Sequence, residues 1–226
     1  MSSASLQIPA INYAPPAGAP RVVFRDDSLL VLEKPAGLLT VPGRGVEHAD
    51  CLASRVQAEY PDARIVHRLD MATSGLVVMA RGRDIERCLS IAFQQRLVGK
   101  RYVAVVAGAL DECSGVVDFP LVVDWPNRPR QKIDWVSGKA AMTHYEVLSY
   151  DAGTDSTRVE LRPITGRSHQ LRVHMMALGH PILGDDLYAG VEARSAAPRL
   201  LLHAADLTLP HPLTGRLLSL SSEPPF

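Results

Sequence analysis

The chain has 226 residues, 46% of them hydrophobic and 21% charged, and its 24 basic and 24 acidic side chains leave it formally neutral. A chain of this length buries roughly 70% of its unfolded surface and needs no staple to fold, and the composition excludes collagen-like, disordered and disulfide-framework classes. Cys51, Cys88 and Cys113 are too few and too far apart for a disulfide scaffold or a Cys-x-x-Cys zinc site.

In chain order, residues 1–20 are rich in Pro and Ala, show no periodicity, and predict a flexible or extended arm. One folded domain is expected over residues 21–226. Residues 22–24 and 29–33 are apolar runs parted by Asp26-Asp27-Ser28, the pattern of a hairpin. Lys34-Pro35-Ala36-Gly37 predicts a turn and Pro42-Gly43-Arg44-Gly45 a mobile loop. Asp50 is placed to cap a short helix that turns Leu52, Ala53 and Val56 inward. Residues 75–80 form a buried strand. Asp84 then caps an amphipathic helix carrying Ile85, Leu89, Ala92, Phe93 and Leu97, closed by Gly99. Strands are expected at 101–107, 142–150 and 158–162, a last helix at about 168–178, and final strands at 200–203 and 217–220. Strands outnumber helices without alternating with them, which predicts an α+β fold. The N-terminus has neither the basic patch nor the apolar core of a signal peptide, and the apolar run over residues 102–110 is under half of a membrane span. A soluble, cytoplasmic protein is expected.

Charge is distributed unevenly. Basic residues gather over residues 64–101 (Arg64, Arg68, Arg96, Lys100 and others), over 128–139 and over 158–172, while acids collect at Asp26-Asp27 and along 111–124. Brought onto one face, these stretches line a phosphate-binding surface on a neutral protein; scattered, they are ordinary surface charge.

Motifs for dinucleotide binding, phosphate cradling, zinc proteolysis and serine esterase chemistry are missing. Two polar clusters stand out. His67-Arg68-Leu69-Asp70-Met71-Ala72-Thr73-Ser74-Gly75 leads straight into the apolar strand, and could be turn chemistry alone. Thr165-Gly166-Arg167-Ser168-His169-Gln170-Leu171-Arg172-Val173-His174 opens the last helix. There Leu171, Met175 and Leu178 point to the core, and Arg167, His169 and Arg172 lie on a stripe away from it. Free N–H groups beside arginines suit an anion; the alternative is an ordinary cap with solvated arginines. His169, His174 and His180 find no acid or cysteine to complete a metal ligand set.

These two clusters together resemble the RluA family of pseudouridine synthases. The resemblance runs from about residue 21 to the C-terminus, and takes in Lys34-Pro35-Ala36-Gly37, Lys100-Arg101-Tyr102, the segment from Gly179 to Asp185, and Arg199-Leu200-Leu201-Leu202-His203-Ala204. Met71-Ala72, the run from Asp124 to Pro129, and the lack of room for an S4-type domain resemble one subgroup, dual-specificity enzymes acting on 23S ribosomal RNA and on the anticodon loop of certain tRNAs. The resemblance implies the family's catalytic domain over residues 21–226, a mixed, mainly antiparallel sheet flanked by helices and loops around a central RNA-binding cleft. It implies Asp70 as the catalytic carboxylate, Arg167 as its ion-pair partner, and Tyr102 stacking on the base and handling the C5 proton. Leu202 would line the base pocket, and Arg68 would fill the space left by a flipped base. His67, Thr73, His169 and Arg172 complete the expected RNA-binding set.

The chemistry suits these residues. Turning uridine into pseudouridine breaks N1–C1′, rotates the base and joins C5 to C1′, so neither electrons, a nucleotide nor a metal is consumed. No cofactor and no metal are therefore expected; the partner is structured RNA, 23S ribosomal RNA and/or tRNA, bound by a monomer. One competing reading is a non-catalytic RNA or ribosome binder of the same fold. Another, a glycoside-type hydrolase, wants two facing carboxylates, and no second acid accompanies Asp70 in its motif.

Overall fold

A computed structural model describes residues 13–226; residues 1–12 of the expected N-terminal arm lie outside the described residues. The elements in order are β1 (Arg21–Arg25), β2 (Leu29–Lys34), α1 (Leu52–Gln57), β3 (Ala63–Ile65), β4 (Ser74–Arg81), α2 (Arg83–Gln94), β5 (Gly99–Ala107), β6 (Ser114–Asp118), β7 (Leu121–Val123), β8 (Gln131–Ile133), β9 (Met142–Asp151), β10 (Ser156–Pro163), α3 (Gln170–Ala177), α4 (Val191–Ser195), β11 (Leu202–Pro210) and β12 (Leu217–Ser221). The described part of the arm has no regular structure, yet Tyr13 donates its hydroxyl to Asp50 O at 2.8 Å and accepts from Leu39 N at 3.0 Å.

The main sheet runs β1-β2-β4-β11-β5-β10-β9-β6, with β12 on β11 and β3 on β4. Every pairing is antiparallel except β4 with β11, where His203 faces Ser74 and Ala204 faces Gly75. This is the expected α+β, mainly antiparallel arrangement. The parallel seam needs backbones in close approach. Gly75 has φ +113, and a Cβ there would lie 2.3 Å from Ala204 O, so only glycine fits.

Helices cover both faces of β2 and β4, which is why those strands read as unbroken apolar runs. Leu30, Leu32, Val77 and Met79 pack with Leu52 and Val56 of α1. The alternate residues Leu29, Val31, Leu76 and Val78 pack with Leu89 of α2 on the other side. A third cluster sets Val159 and Leu161 of β10 against Leu171 and Met175 of α3.

Local punctuation departs from expectation at several helix ends. Asp50 is engaged by Arg55, with both contacts at 2.7 Å, and the cap of α1 is Cys51, whose sulfur accepts from Ser54 N. Gly82, not Asp84, precedes α2; Arg96, with φ 60, turns the chain after it, and Gly99 already belongs to β5. The helix expected from residue 168 begins at Gln170, because His169 adopts a left-handed conformation. α4 follows it, so α3 is not the last helix.

Candidate active site

The loop from Val66 to Thr73 carries the first motif between β3 and β4 and is held from below. Thr40 Oγ1 donates to Leu69 O at 2.8 Å and accepts from Leu69 N at 3.2 Å. Lys34, fully buried, donates to Pro35 O, Leu38 O and Met71 O at 2.7–3.1 Å. Burial pushes its ammonium down to about 7, against the pull of Asp70. Gly37 N also donates to Met71 O at 2.8 Å, and Thr73 N to Asp70 O at 3.1 Å, closing a tight turn around the aspartate. The motif is thus turn chemistry and site chemistry at once: its backbone is clamped so that the Asp70 carboxylate projects, one-fifth exposed, into the cleft.

The second motif is tied to β9 by Gln170. Its Oε1 accepts from Thr165 Oγ1 at 2.7 Å and Arg167 N at 3.0 Å, while its Nε2 donates to Met142 O and Thr143 Oγ1. From there α3 buries nearly its whole circumference, Arg172 and His174 included. Arg172 donates to Asp185 at 2.8 and 2.6 Å and points Nη1 at Asp70 Oδ2, 3.9 Å away. Burial works against its charge, and the Asp185 carboxylate more than restores it. His169 Nε2 stands 3.9 Å from Asp70 Oδ1.

Two expectations are corrected here. Arg167 does not pair with Asp70: preceding the helix, it is exposed and donates Nε to Ala140 O at 3.0 Å. The guanidinium beside Asp70 belongs to Arg172, inside the first turn of α3. Nor does Arg172 lie on a stripe away from the packed side of the helix; its side chain is 3% exposed, and its buried charge has a buried partner.

The remaining expected residues divide. Asp70, Tyr102, Arg68, Thr73, Leu202, His169, Arg172, Arg167 and His67 all line one cleft of about 530 Å³. Tyr102 lies in the central strand β5, opposite Leu161 and Ala204, and its phenol is held well above its ordinary pKa by burial and then by the charge of Asp70. Leu202 opens β11 and is 3% exposed. Arg68 is exposed, and among the described residues no carboxylate lies within ion-pair distance of it. His67 is committed to the scaffold. It stacks on Phe93 at 4.7 Å, Val78 N donates to its Nε2 at 2.9 Å, and burial lowers it to about 3, so its ring is neutral.

Sequence reasoning assigned no role to Asp185 or Tyr188; Lys100, counted in the first basic stretch, is one of the lining cations. Arg68, Arg96, Lys100, Arg167 and Arg172 line the cleft, and Asp70 is the sole carboxylate among the lining residues. Two of the three basic stretches therefore converge; the 128–139 stretch stays outside this lining, around β8.

A cationic cleft floored by apolar side chains and ending on one carboxylate beside a guanidinium defines a class: an enzyme that draws in a polyanion and acts on it at a single point. Residues 28–177 match the family described as RNA pseudouridylate synthase, and the chain belongs to that family. It is 53% identical over 216 residues to the dual-specificity RNA pseudouridine synthase RluA of Escherichia coli strain K12, covering 95% of this chain and 98% of that one. To the Haemophilus ducreyi protein of the same name it is 49% identical over 220 residues, 96% of this chain and 99% of the other. Among solved structures, human RNA pseudouridylate synthase domain containing 1 superposes with TM-score 0.78 at 28% identity, covering 94% and 87% of the two chains. The protein is an RNA pseudouridine synthase, an isomerase acting on RNA. No helix among the described residues is long and apolar enough to cross a membrane.

Proposed function

We propose that the chain isomerises specific uridines in two kinds of structured RNA, 23S ribosomal RNA and tRNA anticodon stem-loops, working as a monomer in the cytoplasm through its domain over residues 21–226. The observation that carries the catalytic assignment is the position of Asp70, the one carboxylate of the cleft lining, facing Arg172 and His169 at 3.9 Å.

Two routes use this carboxylate. It attacks C1′ as N1 departs, or it takes a ribose proton to give a glycal-like intermediate. In both, the freed base turns and C5 bonds to C1′, as the Asp70–C1′ ester bond breaks on the first route or Asp70 returns the ribose proton on the second; C5 then loses its proton and N1 gains one, so the product has the mass of the substrate. Arg172 faces the Asp70 carboxylate and keeps it aimed. Tyr102, held as a phenol, offers a flat ring and a hydroxyl to the base, with Leu202 beside it. The uridine must leave its stack to reach them, and the free guanidinium of Arg68 is placed to occupy the gap.

Release of tritium from [5-³H]uridine transcripts tests the proposal. A tRNA anticodon stem-loop and a 23S fragment should release label with the wild type and not with Asp70→Asn, and an unrelated stem-loop should stay silent. Undiminished release by Asp70→Asn overturns the assignment; release from one RNA class alone overturns dual specificity.

A further inference from the structure

Tyr188 lies three residues beyond Asp185, in the loop that leaves the buried carboxylate. The backbone N–H groups of Leu187 and Tyr188 donate to Asp185 Oδ1 at 2.9 and 3.1 Å, so the acid that holds Arg172 also fixes the start of the tyrosine. The ring lies beneath the Arg172 guanidinium, 5.2 Å from Cζ to the ring centre, and meets the His169 ring edge-on.

The hydroxyl has two neighbours. Gln131 N, on β8, donates to it at 2.8 Å, and His169 Nδ1 stands 2.7 Å away. A backbone N–H can only donate, so the oxygen accepts there. The phenol proton then has Nδ1 as its acceptor. With a proton on Nδ1 instead, the tyrosine O–H would have no partner among the described residues, an arrangement that natural structures avoid. We propose that Tyr188 is a positioning residue whose hydroxyl donates to His169 Nδ1, locking the imidazole as the neutral Nε2–H tautomer with that N–H turned toward Asp70.

The charges around His169 are consistent with this. Burial lowers its pKa, Asp70 and Asp185 pull upward, and Arg172 and Arg68 push down, with the net shift downward. Burial also raises Tyr188 to about 12, which keeps it a donor at neutral pH. A neutral ring has a chemical advantage as well. Arg172 already supplies one full positive charge, and a second cation against Asp70 would stabilise the carboxylate further and blunt it as nucleophile or base. An N–H dipole orients the carboxylate without that penalty. The lock also joins β8, through its Gln131 amide, to the His169 ring in two hydrogen bonds, and the far side of that ring faces Asp70 at 3.9 Å.

The mechanistic value of the lock rests on Asp70 being the catalytic carboxylate, but the tautomer is read without RNA. In full-length protein labelled with nitrogen-15 histidine, a long-range proton–nitrogen correlation spectrum at neutral pH should show His169 protonated at Nε2 and bare at Nδ1, the signal being assigned by its loss in His169→Asn. A ring protonated at Nδ1, or at both nitrogens, overturns the proposal. Tyr188→Phe keeps the ring under Arg172 and removes only the hydroxyl. It should release the tautomer preference and lower the single-turnover rate constant about tenfold, with RNA affinity unchanged. An unchanged tautomer in Tyr188→Phe, or a shifted tautomer with an undiminished rate, also overturns it. A wild type inactive on every RNA tried would refute the proposed substrates and leave the spectrum to decide the tautomer.

Discussion

Asp185→Asn is the most informative single perturbation of the site. Asp185 is fully buried and accepts four hydrogen bonds, two from Arg172 and two from backbone N–H groups. Asparagine keeps the shape and one oxygen, which can go on accepting from the backbone, but turns an N–H₂ donor toward a guanidinium that has only donors. Arg172 then becomes a buried cation whose nearest carboxylates are Asp186 at 3.3 Å, more than half exposed, and Asp70 at 3.9 Å. Breaking one side of a buried pair costs about 3–5 kcal/mol, and the retained backbone contacts and Asp186 place this variant near the low end. In a chain of this size each kcal/mol moves the melting temperature by roughly 2–4 °C, so about 6–12 °C should be lost in a calorimetric scan. Turnover should fall at least tenfold, since Arg172 no longer has a fixed aim at Asp70. The double variant Asp185→Leu, Arg172→Met replaces both charges by apolar groups; it should recover most of the stability and none of the activity. A single variant melting within about 2 °C of wild type would refute the buried-pair reasoning, and an active double variant would refute the role given to Arg172.

Three further outcomes are expected. Lys100, half-buried in the cleft with no carboxylate in ion-pair range among the described residues, should contact phosphate. Lys100→Ala should then flatten the slope of log affinity against log salt by about 0.7, and an unchanged slope would remove it from the interface. Gly75→Ala should destabilise by more than ~3 kcal/mol, because its Cβ would meet immovable backbone of Ala204 at the seam; denaturant melts read this directly, and a wild-type midpoint would contradict the close approach. Arg68→Ala should weaken the fluorescence rise of a base analogue next to the target uridine while leaving the melting temperature within about 1 °C of wild type, as expected of an exposed side chain without an ion-pair partner. A full fluorescence response would exclude it as the wedge.

Much of this architecture is legible from residue pattern, and the limits are physical. The paired apolar strands of β2 and β4 and the amphipathic α2 announce themselves because burial on both faces leaves an unbroken apolar run in the strands, while burial on one face imposes period 3.6 on the helix. β3, β7 and β8 have three residues each, too few to show any period. The ordered motifs bring Asp70, Tyr102 and the Thr165–His174 segment forward as a set, but they cannot say which arginine faces Asp70. The structure decides it: with His169 left-handed, the helix starts two residues late, Arg167 lies outside it and exposed, and Arg172 sits buried in its first turn beside Asp70. Tyr188 carries no such signal, since a tyrosine in a loop has many possible partners. Its position three residues after Asp185, at the end of the Gly179–Asp185 segment, was the nearest hint.

The seam between β4 and β11 has a consequence for when the enzyme can act. Asp70 enters from the strands on one side of β11; Tyr102 and the support of α3 come from the other, and β11 is the strand that joins them. In a growing polypeptide, the strand that seats Asp70 beside Tyr102, His169 and Arg172 is therefore among the last to be made, and the two sides of the cleft can close only once residues 202–210 are free to pair.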